Sequence, residues 1–305
     1  MKVALLAGGT GGTKLAHGFA MLDDVELSVI VNVADDLELH GLHVSPDIDA
    51  VLYTLSGLID SQRGWGVADD TYTAHAMFAR YGEPIWFSLG DADLATHVTR
   101  TKALAEGASL TDATASMAAA LGIGSRILPA TDERCRTVIV TDDGPLEFQE
   151  YFVRHRQEPE VRGVKLEGIE DARPTPSVLE AIGHADLVVI GPSNPVVSIG
   201  PILALGGVRD AILRVPRRVG VSPIVGGQAL KGPAARMLAS LGHEVSAAGV
   251  ARIYGDLLTH WVVDATDAEL APRIGEMGVA PVLLDTIMRT DPDRARLASE
   301  LMSIR

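Results

Sequence analysis

Two unbroken apolar runs open the chain, KVALLA at 2–7 and ELSVIVN at 26–32, and residues 12–22 between them repeat apolar positions at helical spacing. Runs that stay apolar instead of alternating suit strands buried on both faces, so they predict a parallel sheet covered by helices on both sides. IDAVLYTLSGLID (48–60) again has helical spacing. From 61 to 125 most segments read as helix, including TAHAMFARY, DLATHVTRTKALAEG and LTDATASMAAAL, which predicts a largely helical insertion. Strands return at RTVIVT (136–141) and LEFQEYFV (146–153), where the intervening DDGP predicts a hairpin at a sheet edge. ADLVVIGPSNP, RRVGVSPIVGG and THWVVDAT each run a short apolar strand into a turn, and segments between them, such as 230–241, are helical in spacing. No repeat or long linker divides the chain, so the expectation is an α/β protein with one domain over 1–305 and the insertion at 61–125.

Composition narrows the function classes. No apolar run approaches the ~18 residues of a membrane span, and KVALLA is too short for the core of a signal peptide. Cys135 is the single cysteine, which rules out an intrachain disulfide and fits a cytoplasmic location. A net charge of −14 argues against sequence-independent nucleic-acid binding. An acidic chain that handles phosphate is expected to do so through backbone amides, a few placed cations and a divalent metal. Only five of the 26 basic residues are lysine (Lys2, Lys14, Lys102, Lys165 and Lys231), so Lys14 inside a glycine loop stands out.

In open α/β sheets ligands bind beyond the carboxyl ends of the strands, and the unusual residues of this chain gather at such exits. GGTGGTK (8–14) matches neither a Walker A loop nor the dinucleotide fingerprint, because Lys14 stands where a third glycine belongs. A strand-to-helix turn of this kind still offers amides and a helix dipole to an anion, with Thr10, Thr13 and Lys14 adding contacts; the plain alternative is a tight turn packing helix on strand. Asn32, Asp35, Asp36, Asp47 and Asp49 follow the second strand, four carboxylates within fifteen residues, and hard oxygen donors of this kind suit Mg²⁺. Asp47 also reads as the N-cap of the next helix. His40 and His43 raise zinc, yet no third nitrogen or sulfur ligand is at hand. WFSLGDADLATH (86–97) reads as another strand exit, carrying Asp93 and His97, with Asp91 as a cap for the helix that follows. GPSNPVVSIGPIL (191–203) and VSPIVGG (221–227) supply amides and hydroxyls for phosphate, and Asn194 for a base edge.

Taken in order, GGTGGTKL, NVADD, HGLHVSPDIDAVLYTLSG, LGDADLATH, ILPATDE, GPSNPVVSIGPIL and VSPIVGG closely resemble the 2-phospho-L-lactate transferase (CofD) family, from the first strand to about residue 260. The resemblance implies a Rossmann-like, Mg²⁺-dependent enzyme of coenzyme F420 biosynthesis, usually a homodimer. Such enzymes move a phosphorylated three-carbon acid from a guanosine-diphospho-linked donor to the ribityl hydroxyl of the deazaflavin Fo, releasing GMP. The arginine-rich composition leans towards the phosphoenolpyruvyl donor over the 2-phospholactyl one. Where the family reads Gly-Asp-Arg-Asp, this chain has Ala92 in place of the arginine, and Arg100 or Lys102 on the next helix are candidates to replace it.

On this basis Asp35, Asp47 and Asp49 are expected at the metal, with Asp49 and Asp35 the catalytic pair and Asp49, Asp93 and His97 at the deazaflavin. Phosphate and nucleotide are expected at Gly9, Thr10, Gly11, Gly12, Thr13 and Lys14, and across the crevice at Asn32, Ser193, Asn194 and Ser222. The competing reading is a regulatory nucleotide-sugar-binding protein of the same fold with no enzymatic role. HGLHVSPDID and WFSLGDADLATH, which follow the transferase pattern, separate the two.

Overall fold

A computed structural model describes residues 1–229 and 232–305, so Lys231 and the start of the 230–241 segment lie outside the described residues. The chain opens with β1 (Lys2–Ala7), α1 (Gly9–Ala20) and β2 (Glu26–Val31), then a small hairpin of β3 (Leu37–Leu39) and β4 (Leu42–Val44). Four helices follow: α2 (Pro46–Leu55), α3 (Thr73–Tyr81), α4 (Asp91–Ala105) and α5 (Leu110–Ala120). Next come β5 (Arg126–Pro129), β6 (Arg136–Thr141), β7 (Gly144–Glu147) and β8 (Val161–Glu167), then α6 (Pro176–Gly183) and β9 (Leu187–Ile190). The last third holds α7 (Ile199–Ala204), α8 (Val208–Leu213), β10 (Arg218–Val221), β11 (Ile224–Val225), β12 (Gln228–Ala229), α9 (Ala234–Ser240) and α10 (Ala247–Tyr254). It closes with β13 (His260–Asp264), α11 (Ala271–Gly275), β14 (Ala280–Leu284) and α12 (Asp291–Ser303).

Seven of these strands form one parallel sheet in the order β14-β13-β10-β9-β1-β2-β5. This is the α/β, Rossmann-like architecture expected from the continuous apolar runs: every residue of β9 and residues 3–7 of β1 are buried. Burial of each Val, Leu or Ile side chain contributes roughly 1.5–3 kcal/mol. The strand order reverses between β1 and β9, because the chain first builds outward through β2 and β5 and then returns to the other side of β1. A crevice opens at such a reversal, outside the carboxyl ends of the two strands. Gly8 and Gly191 begin the loops that line it.

Helices α3, α4 and α5 form the helical insertion before β5. Two expectations there change. WFS at 86–88 is no strand; Trp86 and Phe87 instead pack against a small apolar group of Leu37, Leu39, Val44 and Leu89. Asp91 does not cap the helix it begins. Its carboxylate accepts from Thr71 Oγ1 (2.5 Å), Thr73 N (3.1 Å) and Ala74 N (2.9 Å), at the start of α3. Asp70 returns the arrangement, accepting from Ala92 N (2.8 Å) and Asp93 N (3.0 Å) at the start of α4. Gly90 is required between them, since a Cβ there would overlap the Asp70 carboxylate.

The hairpin at 136–147 forms, but it does not extend the main sheet. It joins β8 in a separate antiparallel sheet of order β7-β6-β8. Residues 148–153, read as strand, leave it: Glu150–Arg154 is a single π-helical turn, with Phe148 and Tyr151 buried against Ile139, Val161, Val197 and Met237. This small sheet backs the acidic loop, where Thr137 N donates to Ala34 O (2.7 Å) and Gln149 Nε2 to Asp35 O (3.4 Å).

Candidate active site

The glycine loop is built first of all to let chain approach chain. A Cβ on Gly11 would overlap the Pro192 carbonyl, and one on Gly12 would lie 2.6 Å from Ser193 Oγ and 2.9 Å from Ala7 Cβ. The GPSNP turn therefore seats directly on the first turn of α1, and Gly8 N donates to Ser193 Oγ (3.4 Å). Gly9 takes φ +61°, a conformation glycine adopts without strain. Gly9, Thr10 and Gly11 stay half-buried at the crevice, while Gly12 and Thr13 are buried. Thr13 Oγ1 donates back to Gly9 O (2.8 Å), and the Lys14 ammonium reaches Met288 O (3.0 Å). Across the crevice, Asn194 Oδ1 accepts from Val196 N (2.9 Å) and fixes its own turn. Ser222 Oγ does likewise, donating to Ile224 O (2.8 Å).

The N-cap reading of Asp47 does not hold. Ser45, not Asp47, occupies the N-cap of α2, and Asp47 lies in the first turn. Its carboxylate points across to the neighbouring helix start, accepting from Gly9 N (2.6 Å) and from Asn32 Nδ2 (3.2 Å). Asn32 is itself pinned, its Oδ1 accepting from Ala34 N (3.0 Å) and its Nδ2 donating to Val197 O (3.3 Å). Burial pushes the Asp47 carboxyl up to about 6 against the pull of these two donors. Asp35 is buried, and its Oδ1 has no hydrogen-bond partner among the described residues. Desolvation, with the neighbouring Asp47 charge next, drives its pKa well above the ordinary carboxylate range.

Asp36 is raised too, chiefly by burial, and is partly relieved by His43 Nε2 (2.9 Å) and Ser45 Oγ (2.6 Å). His40 stacks on Phe78 at 4.1 Å, so the two histidines serve different neighbours.

Asp49 is buried and differently supplied. Both of its oxygens accept from Arg100, one from Nη2 and the other from Nη1 at 3.2 Å, and His97 Nδ1 stands 3.5 Å from Oδ2. Asp93 Oδ1 accepts from Tyr53 Oη (2.6 Å) and lies 3.3 Å from His97 Nε2. The structure thus brings Asp49, Asp93 and His97 together and adds Arg100 and Tyr53. Of the two candidates to replace an arginine at Ala92, Arg100 is fully buried on Asp49 and Lys102 is exposed beside Glu106 at 3.8 Å. The signal for Arg100 was present in the sequence as spacing: Asp93, His97 and Arg100 fall on one face of a helix.

No group of three or more His, Cys, Asp or Glu side chains among the described residues is arranged to hold a metal, so Asp35, Asp47 and Asp49 do not form a three-carboxylate cage. Mg²⁺ usually needs only one or two carboxylates, with water and substrate phosphates completing its shell. The unpartnered Asp35 oxygen beside a second carboxylate of raised pKa fits that smaller demand.

No helix of the described residues is long and apolar enough to cross a membrane. The chain matches the family model for 2-phospho-L-lactate transferase CofD over residues 3–301. A phosphoenolpyruvate transferase of Streptomyces griseus is 44% identical over 314 residues, covering 99% of this chain and 98% of that protein. A 2-phospho-L-lactate transferase of Methanosarcina mazei is 39% identical, with 98% of each chain covered. Among solved structures, a UPF0052-family protein of Bacillus halodurans superposes with a TM-score of 0.71 over 99% of this chain and 98% of its own, at 18% identity, a likeness of fold. The family match runs along nearly the whole chain: it belongs to the 2-phospho-L-lactate transferase (CofD) family and is an enzyme of that transferase class.

Proposed function

We propose that this enzyme transfers a phosphorylated three-carbon acid from a guanosine-diphospho-linked donor to the ribityl hydroxyl of the deazaflavin Fo, the coupling step of coenzyme F420 assembly. The observation that carries the reading is the pairing at the strand reversal of a half-buried glycine turn with buried carboxylates, of which Asp35 Oδ1 has no hydrogen-bond partner among the described residues. An acidic crevice accepts a diphosphate only if a cation comes with it. Asp35 and Asp47 would hold Mg²⁺, which supplies charge neutralisation on the nonbridging phosphate oxygens. Asn32 and the Gly9 amide fix Asp47 for that task, and the turn at Ser193 and Asn194 lines the donor side.

In the reaction the ribityl oxygen forms a bond to the phosphorus that carries the acid. The bond from that phosphorus to the bridging oxygen breaks, and GMP leaves with the electron pair. The hydroxyl proton passes to a carboxylate at the acceptor side, for which Asp49 is our assignment. An ionised carboxylate has about four acceptor positions, so the two bonds from Arg100 leave room for a hydroxyl. Asp93 and His97 support the acceptor end, and Asp35 the metal end. The 44% identity to a phosphoenolpyruvate transferase and the arginine-rich composition favour the phosphoenolpyruvyl donor.

The test is GMP release with Fo and each of the phosphoenolpyruvyl, 2-phospholactyl and phosphoglyceryl guanosine donors. The phosphoenolpyruvyl donor should turn over fastest, EDTA should stop it, and added Mg²⁺ should restore it. Binding of a nucleotide sugar with no GMP from any donor would favour the regulatory reading instead.

A further inference from the structure

Of the fifteen residues of α4, the buried ones are Asp93, His97 and Arg100. A helix that only had to dock would turn aliphatic side chains inward, because burying charged groups is costly unless each is paired. Here each side chain has a partner on one short stretch of α2, although His97 Nε2 and Arg100 Nε make no hydrogen bond among the described residues. Tyr53 Oη bonds Asp93, His97 stands between Asp93 and Asp49, and Arg100 grips both oxygens of Asp49. Arg100 Nη1 also donates to His43 O (3.3 Å), so the guanidinium joins α4, α2 and the β3–β4 hairpin. Burial opposes the charge on Arg100, and Asp49, with Asp36 and Tyr53 adding to it, holds its pKa above the ordinary value.

Such a pair is a poor device for stability alone, since apolar side chains of similar volume often do as well or better. What a guanidinium fork provides is geometry: two parallel bonds stop a carboxylate from rotating, which a single ammonium contact does not. We propose that Arg100 is a positioning residue for the transfer reaction, holding the Asp49 carboxylate in one orientation so that the acceptor hydroxyl meets a fixed oxygen. The proposal rests on the reading that Asp49 touches that hydroxyl. His97 Nδ1 lies beside the fork, 3.5 Å from Asp49 Oδ2 and 3.4 Å from Arg100 Nη1.

Arg100→Lys keeps the charge and loses the fork. It should melt close to wild type, keep the donor KM, and lose about 100-fold in kcat, the scale of a small misplacement at a reacting group. The double variant Arg100→Met/Asp49→Leu exchanges the pair for apolar bulk and should melt near wild type while transfer is lost. If Arg100→Lys does not fold, Arg100→Gln, which keeps one donor for Asp49, is read in the same way. Wild-type kcat in the folded Arg100 variant, beside an inactive Asp49→Asn, would overturn the positioning role and leave Asp49 at the acceptor. Wild-type transfer by the double variant would instead overturn the acceptor assignment of Asp49 itself.

Discussion

Asp47 and Asp49 stand two residues apart in the first turn of α2, yet their carboxylates meet opposite surroundings. Asp47 turns to a backbone amide and a neutral side chain, with Asp36 as its charged neighbour, and burial raises its pKa. Asp49 turns to a guanidinium that no solvent reaches. One end of the site gathers carboxylates whose pKa burial raises, and the other carries a cation of its own. The lesson is that equal carboxylates in one sequence cluster are separated by what lies opposite them, and that neutralising them should have opposite consequences.

The largest effect is expected from Asp49→Asn. Turnover should fall at least ~100-fold, as for loss of a general base. The variant should also melt well below wild type, because stranding a buried charge typically costs ~3–5 kcal/mol. Normal melting would mean that Arg100 does not depend on Asp49, and the comparison would break there.

Asp35→Asn should move stability the other way. Removing a charge that burial and Asp47 disfavour should raise the melting temperature without Mg²⁺ at pH 7.5. It should also cut Mg²⁺ affinity by ~10–100-fold or more, since even indirect changes around a metal cost that much. Calorimetric titration with Mg²⁺ and a thermal melt read the two parts separately, and a lower melting temperature would sink the uncompensated-charge account.

A smaller effect follows from Asp47 and pH. Burial pushes its carboxyl up to about 6 in the folded chain from an ordinary value of 3.8, so between these values the folded state holds the extra proton. Stability from this group is therefore full below pH about 4 and is lost as pH rises through about 6. Mg²⁺ competes with that proton, so the melting-temperature rise on adding Mg²⁺ should be small at pH 5 and larger at pH 7.5. An equal rise at both would remove Asp47 from the metal site.

The strands of the main sheet were legible because a strand buried on both faces announces itself locally, as KVALLA and ELSVIV do. What went astray depended on partners far along the chain. The density of glycine at 8–12 reads as room for phosphate, but much of that room is taken by Pro192 and Ser193, some 180 residues away. WFS has the composition of a strand, yet Trp86 and Phe87 plug the apolar group under the β3–β4 hairpin. The acidic cluster was visible, while its division was not, because the cation that divides it lies 51 residues beyond Asp49.

The crossed caps at Asp70 and Asp91 bear on how the insertion opens and closes in time. α3 is nine residues long and buries none of them, well short of the ~12–15 residues at which an isolated helix becomes even marginal in water. Its first turn is tied to a carboxylate on α4, and the first turn of α4 is tied to a carboxylate just ahead of α3. Neither start can fray without releasing the anion that stabilises the other, so both belong to one cooperative opening unit in hydrogen exchange. The absent side chain of Gly90 is what lets that unit latch, and through Asp93 the latch is continuous with the face of α4 that meets Asp49.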